Sequence, residues 1–445
     1  MKILAGIRQC VMALVVLGGT APVLFGQAAH QPVVTATAYN SNFPAAAGLG
    51  ESFNGIGITH DGIIYYVISS PTYNVPGEMY SFNPKTKVIT HIANLNDAVG
   101  QHTKAVAQGK VHTDFIQDHD KLYFATHLGY YNQAHGLERA TAAPQGYLPY
   151  PGGHFVSYDL KTKKFDSLAI APKGEGIITF NMDGKRGRLY GITWPSGYFL
   201  RYDLKTKSLK NLGTVFLGGE MGKVGTTYRA ICRRIAMDPR DGDAYFTTGD
   251  GVIHRYSYDT DSVQAVAGVS LKKDYFGELD PTRPGMAYNW RDALWVPNQN
   301  AIYAINGRSD YLFRFDPSVP SVQVVERLAS EAAKKTGMYS GFFYGYLGFV
   351  LGPDGHTLYY LTSTPHTSGP NAKAAWALPN RKWTDLITYD IATGTYRDHG
   401  QIKLADGHPV TPGQSLVMGL DGTLYTVARF VENGQERIDL ISFRP

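Results

Sequence analysis

Seven times along the chain a strand-like segment with a tyrosine near its start recurs: IIYYVIS (63–69), KLYFATH (121–127), RLYGITW (188–194), DAYFTTG (243–249), AIYAING (301–307), TLYYLTS (357–363) and TLYTVAR (423–429). The aligned tyrosines are Tyr65, Tyr123, Tyr190, Tyr245, Tyr303, Tyr359 and Tyr425, spaced by 58, 67, 55, 58, 56 and 66 residues. Self-similarity at such a period marks a repeat architecture and overrides the two or three domains that length alone suggests. Each segment follows another apolar strand and a tight turn rich in Asp, Gly and Asn, as in FVLGPDG and LVMGLDG. Asp-Gly between alternating strands signals a hairpin. A third strand comes next, such as FVSYDLKTK, FLRYDLKTK or LITYDIATG, and in six of the seven units a fourth. Four antiparallel strands per repeat make a propeller blade.

The expected fold is all-β, a single seven-bladed β-propeller over 33–445. The last unit stops at its third strand, LISFRP, whereas VVTATAY (33–39) is a lone strand ahead of the first unit. That strand is expected to complete the last blade, closing the ring and leaving no exposed seam. VERLASEAAKKTG (325–337) carries helix formers and a Gly stop, and reads as a helix in a blade connection.

Lys2 and Arg8 precede an apolar run, CVMALVVLGGTAPVLF, and then small residues, GQAAH. This is the pattern of a signal peptide, 1–28, and it predicts a periplasmic or secreted protein. The run is too short and too broken by Gly and Pro to span a membrane, so no membrane span is expected after cleavage. Removing Lys2 and Arg8 takes the formal charge from +5 to +3, which implies no nucleic-acid partner. Cys10 leaves with the leader, so Cys232 has no partner for an intramolecular disulfide. A monomer is expected.

In a propeller, tight hairpins occupy one face, while the other carries the loops between second and third strands and the links between blades. Long loops on a rigid scaffold make sites. The stretch 128–152 is such a loop, opened widely between KLYFATH and HFVSYDL, with His127 and His154 on its two lips. His112, in KVHTDF, begins the inner strand of the same blade, so three histidines are expected to converge on one rim. The neighbouring blades add Trp194 and Tyr198 in a top turn, and Tyr228, Arg229, Arg233 and Arg234 ahead of the next inner strand. Alternation sends one of Arg233 and Arg234 into the channel, and Arg233 is preferred. Arg308, His366, Trp376, Arg381 and Arg429 fall on segments of the same face.

Taken singly, each of these residues reads as a satisfied core histidine or a solvated rim residue; together they describe a face. Carboxylates there are sparse: Glu138, Glu220, Asp250 and Asp310. Arg, His and Tyr without matching Asp and Glu suit an anionic ligand, and Trp194 and Trp376 suit stacking on sugar rings. The balance argues against a glycosidase, which needs a carboxylate pair, and against a carboxylate-built calcium site. No GxSxG elbow, HExxH or P-loop occurs. The three histidines also suit a transition metal such as zinc or manganese, and their spacing neither supports nor excludes it.

KVHTDF, KLYFATH, YPGGHFVSYDL and RAICRRIAMDPRDGDAYFTTGDGVIHRY resemble the exported seven-bladed propeller polysaccharide lyases, including ulvan lyases and rhamnose–glucuronate lyases. The similarity is clearest from about 108 to 260. The resemblance implies β-elimination on an acidic polysaccharide or oligosaccharide. It places base and acid among His112, His127, His154 and Tyr198, and carboxylate neutralisation at Arg229 and Arg233. Tyr228, Trp194, Arg308, His366, Trp376 and Arg381 would then line the substrate. Tyr190 reads as a core strand residue. Some relatives hold calcium or zinc, for which this sequence shows no convincing ligand set. Two other readings stand beside this one: a propeller that binds a glycan or protein without catalysis, and another propeller enzyme, such as a metal-dependent hydrolase or a quinoprotein-like oxidoreductase.

Overall fold

Turns written into the sequence build the repeat. In the YDLKTK motif Asp159 Oδ1 accepts the backbone N–H groups of Lys161 (3.0 Å) and Thr162 (2.7 Å), and Asp203 does the same for Lys205 (2.9 Å) and Thr206 (2.8 Å). The carboxylate closes the turn in place of a backbone carbonyl. The residue four places after the aspartate then turns left-handed, with φ of 58° at Lys163 and 53° at Lys207. In the YDIATG version of the motif Gly394 takes that position at 70°, without the Cβ penalty. Turns capped in this way join third strands to fourth strands in five of the repeats, with Asn83 in place of the aspartate in the first.

The computed structural model describes residues 32–43, 50, 55–134, 137–273, 276, 279–280, 285–307, 309–336, 348–365, 382–411 and 415–445. The expected signal peptide, together with Arg308, His366, Trp376 and Arg381, lies outside the described residues. Five antiparallel four-stranded sheets follow one another, and each strand pairs with its neighbour in sequence. The second sheet runs Ile116–Asp118, Lys121–Ala125, His154–Asp159 and Phe165–Ile170; the fourth runs Ala236–Met237, Ala244–Thr247, Ile253–Ser257 and Ser262–Ala265. The last two repeats share an eight-stranded sheet.

Val33–Ala38 sits inside that larger sheet. Its second half pairs antiparallel with Gln435–Phe443, the third strand of the last repeat, in the register Ala36↔Phe443, Thr37↔Ser442 and Ala38↔Ile441. Its first half does something the sequence did not announce, pairing parallel with Thr395–Leu404 of the preceding repeat. The stretch 325–337 also departs from expectation. Val325–Arg327 ends the strand Ser321–Arg327, and the helix is only Glu331–Thr336. Pairing with Tyr311–Asp316 overrides the helix propensity of its first residues.

The repeated tyrosines pack between sheets. Three of them reach an aromatic on the third strand of the next repeat: Tyr65 to Tyr158 (ring centroids 6.0 Å apart), Tyr190 to Tyr256 (5.0 Å) and Tyr245 to Phe315 (5.4 Å). Tyr425 of the last repeat meets Phe82 of the first at 5.9 Å, and the two repeats share one apolar cluster with Ile56, Tyr66 and Leu440. Tyr190 is fully buried, as expected of a core residue. Tyr425→Ala is expected to cost roughly 3–5 kcal/mol, the range for losing a buried aromatic, read as a lower denaturant midpoint. An unchanged midpoint would show that the first and last repeats do not depend on each other.

Candidate functional site

The links ahead of the first strands meet the ends of the second strands, and there the chemistry collects. Lys110 and His127 exchange both backbone hydrogen bonds (2.9 and 2.8 Å), which fixes the start of KVHTDF against the lip of the wide loop. His112 lies two residues on, and its ring centroid is 6.2 Å from that of His127. His127 packs edge-on to Trp194 at 5.7 Å. Its Nδ1 rests against Gly176, where a Cβ would lie 1.9 Å away, so only glycine admits the ring.

Both imidazoles are held well below the ordinary histidine range. For His112 the causes are burial, then the charges of Arg233 and Arg291; for His127 they are burial, then Lys110 and Arg233. The two rings are therefore neutral bases near neutral pH. Lys110 is itself 2 % exposed, and its Nζ donates to the Tyr131 hydroxyl at 2.6 Å. Tyr131 also faces Trp194, with centroids 6.2 Å apart. Arg291 is buried beside Arg233, and burial first, then that neighbouring charge, brings its guanidinium down to about 9.

Glu220 organises the other side. One carboxylate oxygen accepts from Arg233 Nη1 (2.6 Å) and from the Ile231 N–H (2.9 Å), while the other accepts from Trp194 Nε1 (2.8 Å). With both oxygens committed, Glu220 is a structural anchor rather than a proton carrier. Below it, Arg234 joins the carboxylates of Asp114 and Asp292, tying together the inner strands of three repeats. Burial raises Asp292 to about 7, although Arg234 opposes the shift.

The wide loop explains its own length here. It carries a small hairpin, Asn132–Ala134 with Leu137–Arg139. Arg139 Nη1 donates from this hairpin to the Glu220 carbonyl (2.6 Å), and the guanidinium lies 5.9 Å from the Tyr228 ring centroid. The loop thus reaches over the links of neighbouring repeats and brings Tyr131 and Arg139 to one cluster.

The structure brings His112, His127, Arg233 and Tyr228 into one cluster, whereas several other expectations are corrected. His154 does not join the other histidines. As the first residue of its strand it turns to the outer strand, where Nδ1 bonds Ser167 Oγ at 2.7 Å, and burial lowers it to about 4. Tyr198 is on the rim, its hydroxyl accepting from Lys173 Nζ at 2.9 Å. Arg229 folds back on its own loop, donating to the carbonyls of Thr226 (3.1 Å) and Tyr228 (2.8 Å). Arg429 pairs with Glu436 at 2.6 Å. Trp194 is 1 % exposed and offers no face to a sugar. Arg233 and Arg234 are both buried and both paired, so alternation did not choose between them. Lys110, Tyr131 and Arg291 were missed.

Among the described residues no group of three or more His, Cys, Asp and Glu is placed to hold a metal ion. His112 and His127 supply two nitrogens, and the cations that depress them would equally repel a metal. This set does not fit calcium or zinc. Also among the described residues, no helix is long and apolar enough to cross a membrane.

The repeating sheets and their central cluster place the chain among the β-propellers. Of solved structures, virginiamycin B lyase from Staphylococcus aureus is similar over 92 % of this chain and 98 % of its own, with a TM-score of 0.52 and 11 % identity. A chain of the mitotic checkpoint complex is similar over 98 % and 99 %, with a TM-score of 0.49 and 11 % identity. Neither is named a polysaccharide lyase. No family model matches, and no curated protein does. At 11 % identity the first likeness establishes the fold alone.

Proposed function

We propose that this chain is an exported, seven-bladed propeller lyase that cleaves a uronate-containing glycan by β-elimination. Two observations support the ring. Four-stranded units can be counted seven times once the eight-stranded sheet is divided at Val33–Ala38, and the first and last repeats share a core. One observation carries the chemistry: three buried cations, Lys110, Arg233 and Arg291, surround two neutral imidazoles and a tyrosine hydroxyl. Glu220 pairs with Arg233, and Lys110, Arg233 and Arg291 together give this side of the cluster its positive character, which suits an anionic ligand.

In this reading the sugar carboxylate settles against Arg291 and the outer side of Arg233. Neutralising it makes the C5 proton removable. A neutral imidazole of the His112–His127 pair takes that proton. The electron pair left behind forms the C4=C5 double bond as the C4–oxygen bond breaks. Tyr131, its hydroxyl polarised by the Lys110 ammonium, gives its proton to the departing oxygen. The imidazolium then passes its proton through solvent to the tyrosinate, which restores both groups.

Product analysis tests the reaction type. Mass spectrometry of digests of ulvan, gum arabic and pectin should show fragments carrying an unsaturated end, each short of one water relative to hydrolysis products. The rate should hold as pH falls to 6.5, the ordinary histidine value, and decline only below it, since both imidazoles protonate late. Fragments with a full complement of water would replace elimination by hydrolysis. An acid limb at or above pH 6.5 would remove the two histidines from the role of base.

A further inference from the structure

Trp194 cannot stack on a sugar, yet the wide loop that carries Tyr131 also contributes to a separate group of tyrosines. Tyr73, from the loop after the strand Ile64–Ile68, makes edge-to-face contacts with Tyr130 (5.5 Å, 67°) and Tyr147 (4.9 Å, 83°), both from the wide loop. All three rings are half-buried. Lys104, exposed, holds its Nζ 4.8 Å from the Tyr147 ring centroid, and Leu148 beside it is 57 % exposed.

Three rings from two loops would be an expensive way to pack a surface by chance, and the backbone beneath them is tightly set. Ala107 N–H donates to the Tyr73 carbonyl (2.9 Å), Ser70 N–H to the Gly109 carbonyl (2.9 Å) and Leu148 N–H to the Lys104 carbonyl (2.9 Å). Gly129 approaches so closely that a Cβ there would lie 1.8 Å from the Ser70 carbonyl oxygen. The aromatic group is therefore held in register with the charged cluster, since Tyr130 directly precedes Tyr131, whose hydroxyl meets Lys110.

We propose that Tyr73, Tyr130 and Tyr147, with Lys104 at their margin, form a carbohydrate subsite that stacks one pyranose of an acidic glycan chain alongside the unit held at the cluster. The C–H face of a pyranose meets the electron-rich face of an aromatic ring, and the ammonium of Lys104 answers a carboxylate on that sugar or the next. The position of this subsite relative to a reacting unit rests on the lyase reading; its capacity to bind sugar does not. Affinity then grows with chain length, and the enzyme prefers chains to the shortest fragments.

The probe is a ladder of rhamnose–glucuronate oligosaccharides prepared from ulvan, with calorimetric binding and elimination rates measured separately. For the long members the double variant Tyr73→Ala/Tyr147→Ala should bind about tenfold more weakly, the effect of one lost stacking contact. Its affinity for the disaccharide should stay at the wild-type value, and its melting temperature should stay within the wild-type range. Tyr73→Phe/Tyr147→Phe, which keeps the ring faces, should bind as wild type does. Equal binding of the alanine variant at every length overturns the subsite, as does a wild type that binds no member of the ladder. If the alanine variant unfolds, the phenylalanine variant and Lys104→Met, both expected to fold, decide by the same ladder: binding that does not depend on length in either overturns it. A wild type that binds with length dependence but forms no unsaturated product removes the lyase reading and leaves the subsite standing.

Discussion

Tyr131→Phe is expected to lower kcat for elimination by roughly 10²–10⁴-fold, the range a positioned proton donor supplies. The phenol oxygen accepts a 2.6 Å hydrogen bond from the ammonium of Lys110, which fixes the hydroxyl and answers the charge that develops on the oxygen as its proton leaves. Removing only the hydroxyl keeps the ring against Trp194 and should leave the melting temperature near that of the wild type. Lys110→Met removes the ammonium while keeping most of the side-chain length, and it should lower kcat more than it raises KM. A tyrosine that merely packed the loop would behave differently: Tyr131→Phe would then turn over normally, and the proton would have to come from another group.

The second large effect is on stability. Glu220→Ala leaves Arg233 buried without its 2.6 Å partner and also strands the Trp194 indole N–H and the Ile231 amide. Breaking a buried ion pair by removing one partner costs roughly 3–5 kcal/mol, because the remaining charge is uncompensated. Arg233→Ala should cost a similar amount. The double variant should cost less than the two singles together, since neither leaves a charge for the other to strand. Chemical unfolding of the four proteins measures this directly. Strictly additive losses would mean that the two residues do not act as a pair.

The repeat was legible because its causes are local. A tyrosine on each second strand and an aspartate or asparagine opening each KTK turn are visible in one repeat at a time, and in the structure the side-chain oxygen closes the turn. The pairing of Val33–Ala38 with the last strand could also be inferred, from a repeat lacking its fourth strand; the parallel pairing with Thr395–Leu404 could not, because no local signal sets which edge lies nearby.

The site was read less fully for the same reason. His112 and His127 stood out as residue types, whereas Lys110 did not, although it opens the quoted KVHTDF motif. In an extended segment it lies two residues from His112 and so on the same side. Arg291 opens an inner strand as Arg233 precedes one, and that equivalence was the available signal. Tyr131 lay within a loop whose course only the folded chain reveals. Trp194 was assigned to sugar stacking by type, but its position beside Glu220 gave the indole N–H a buried acceptor and closed it to solvent. His154 and Tyr198 were placed on the correct segments, but each begins its strand, and their side chains bond toward Ser167 and Lys173 instead of the channel.

The central claim is that this propeller performs elimination on a uronate glycan, and ultraviolet absorbance of the conjugated, unsaturated uronate reports that event without further steps. The mature protein is mixed in turn with ulvan, gum arabic, rhamnose-capped glucuronates, pectin and glycosaminoglycans. A rise in absorbance on one of them, abolished in Arg291→Met and strongly reduced in Tyr131→Phe, is the expected result. A flat trace across the panel with folded protein would contradict it and leave a propeller that binds its ligand without cleaving it.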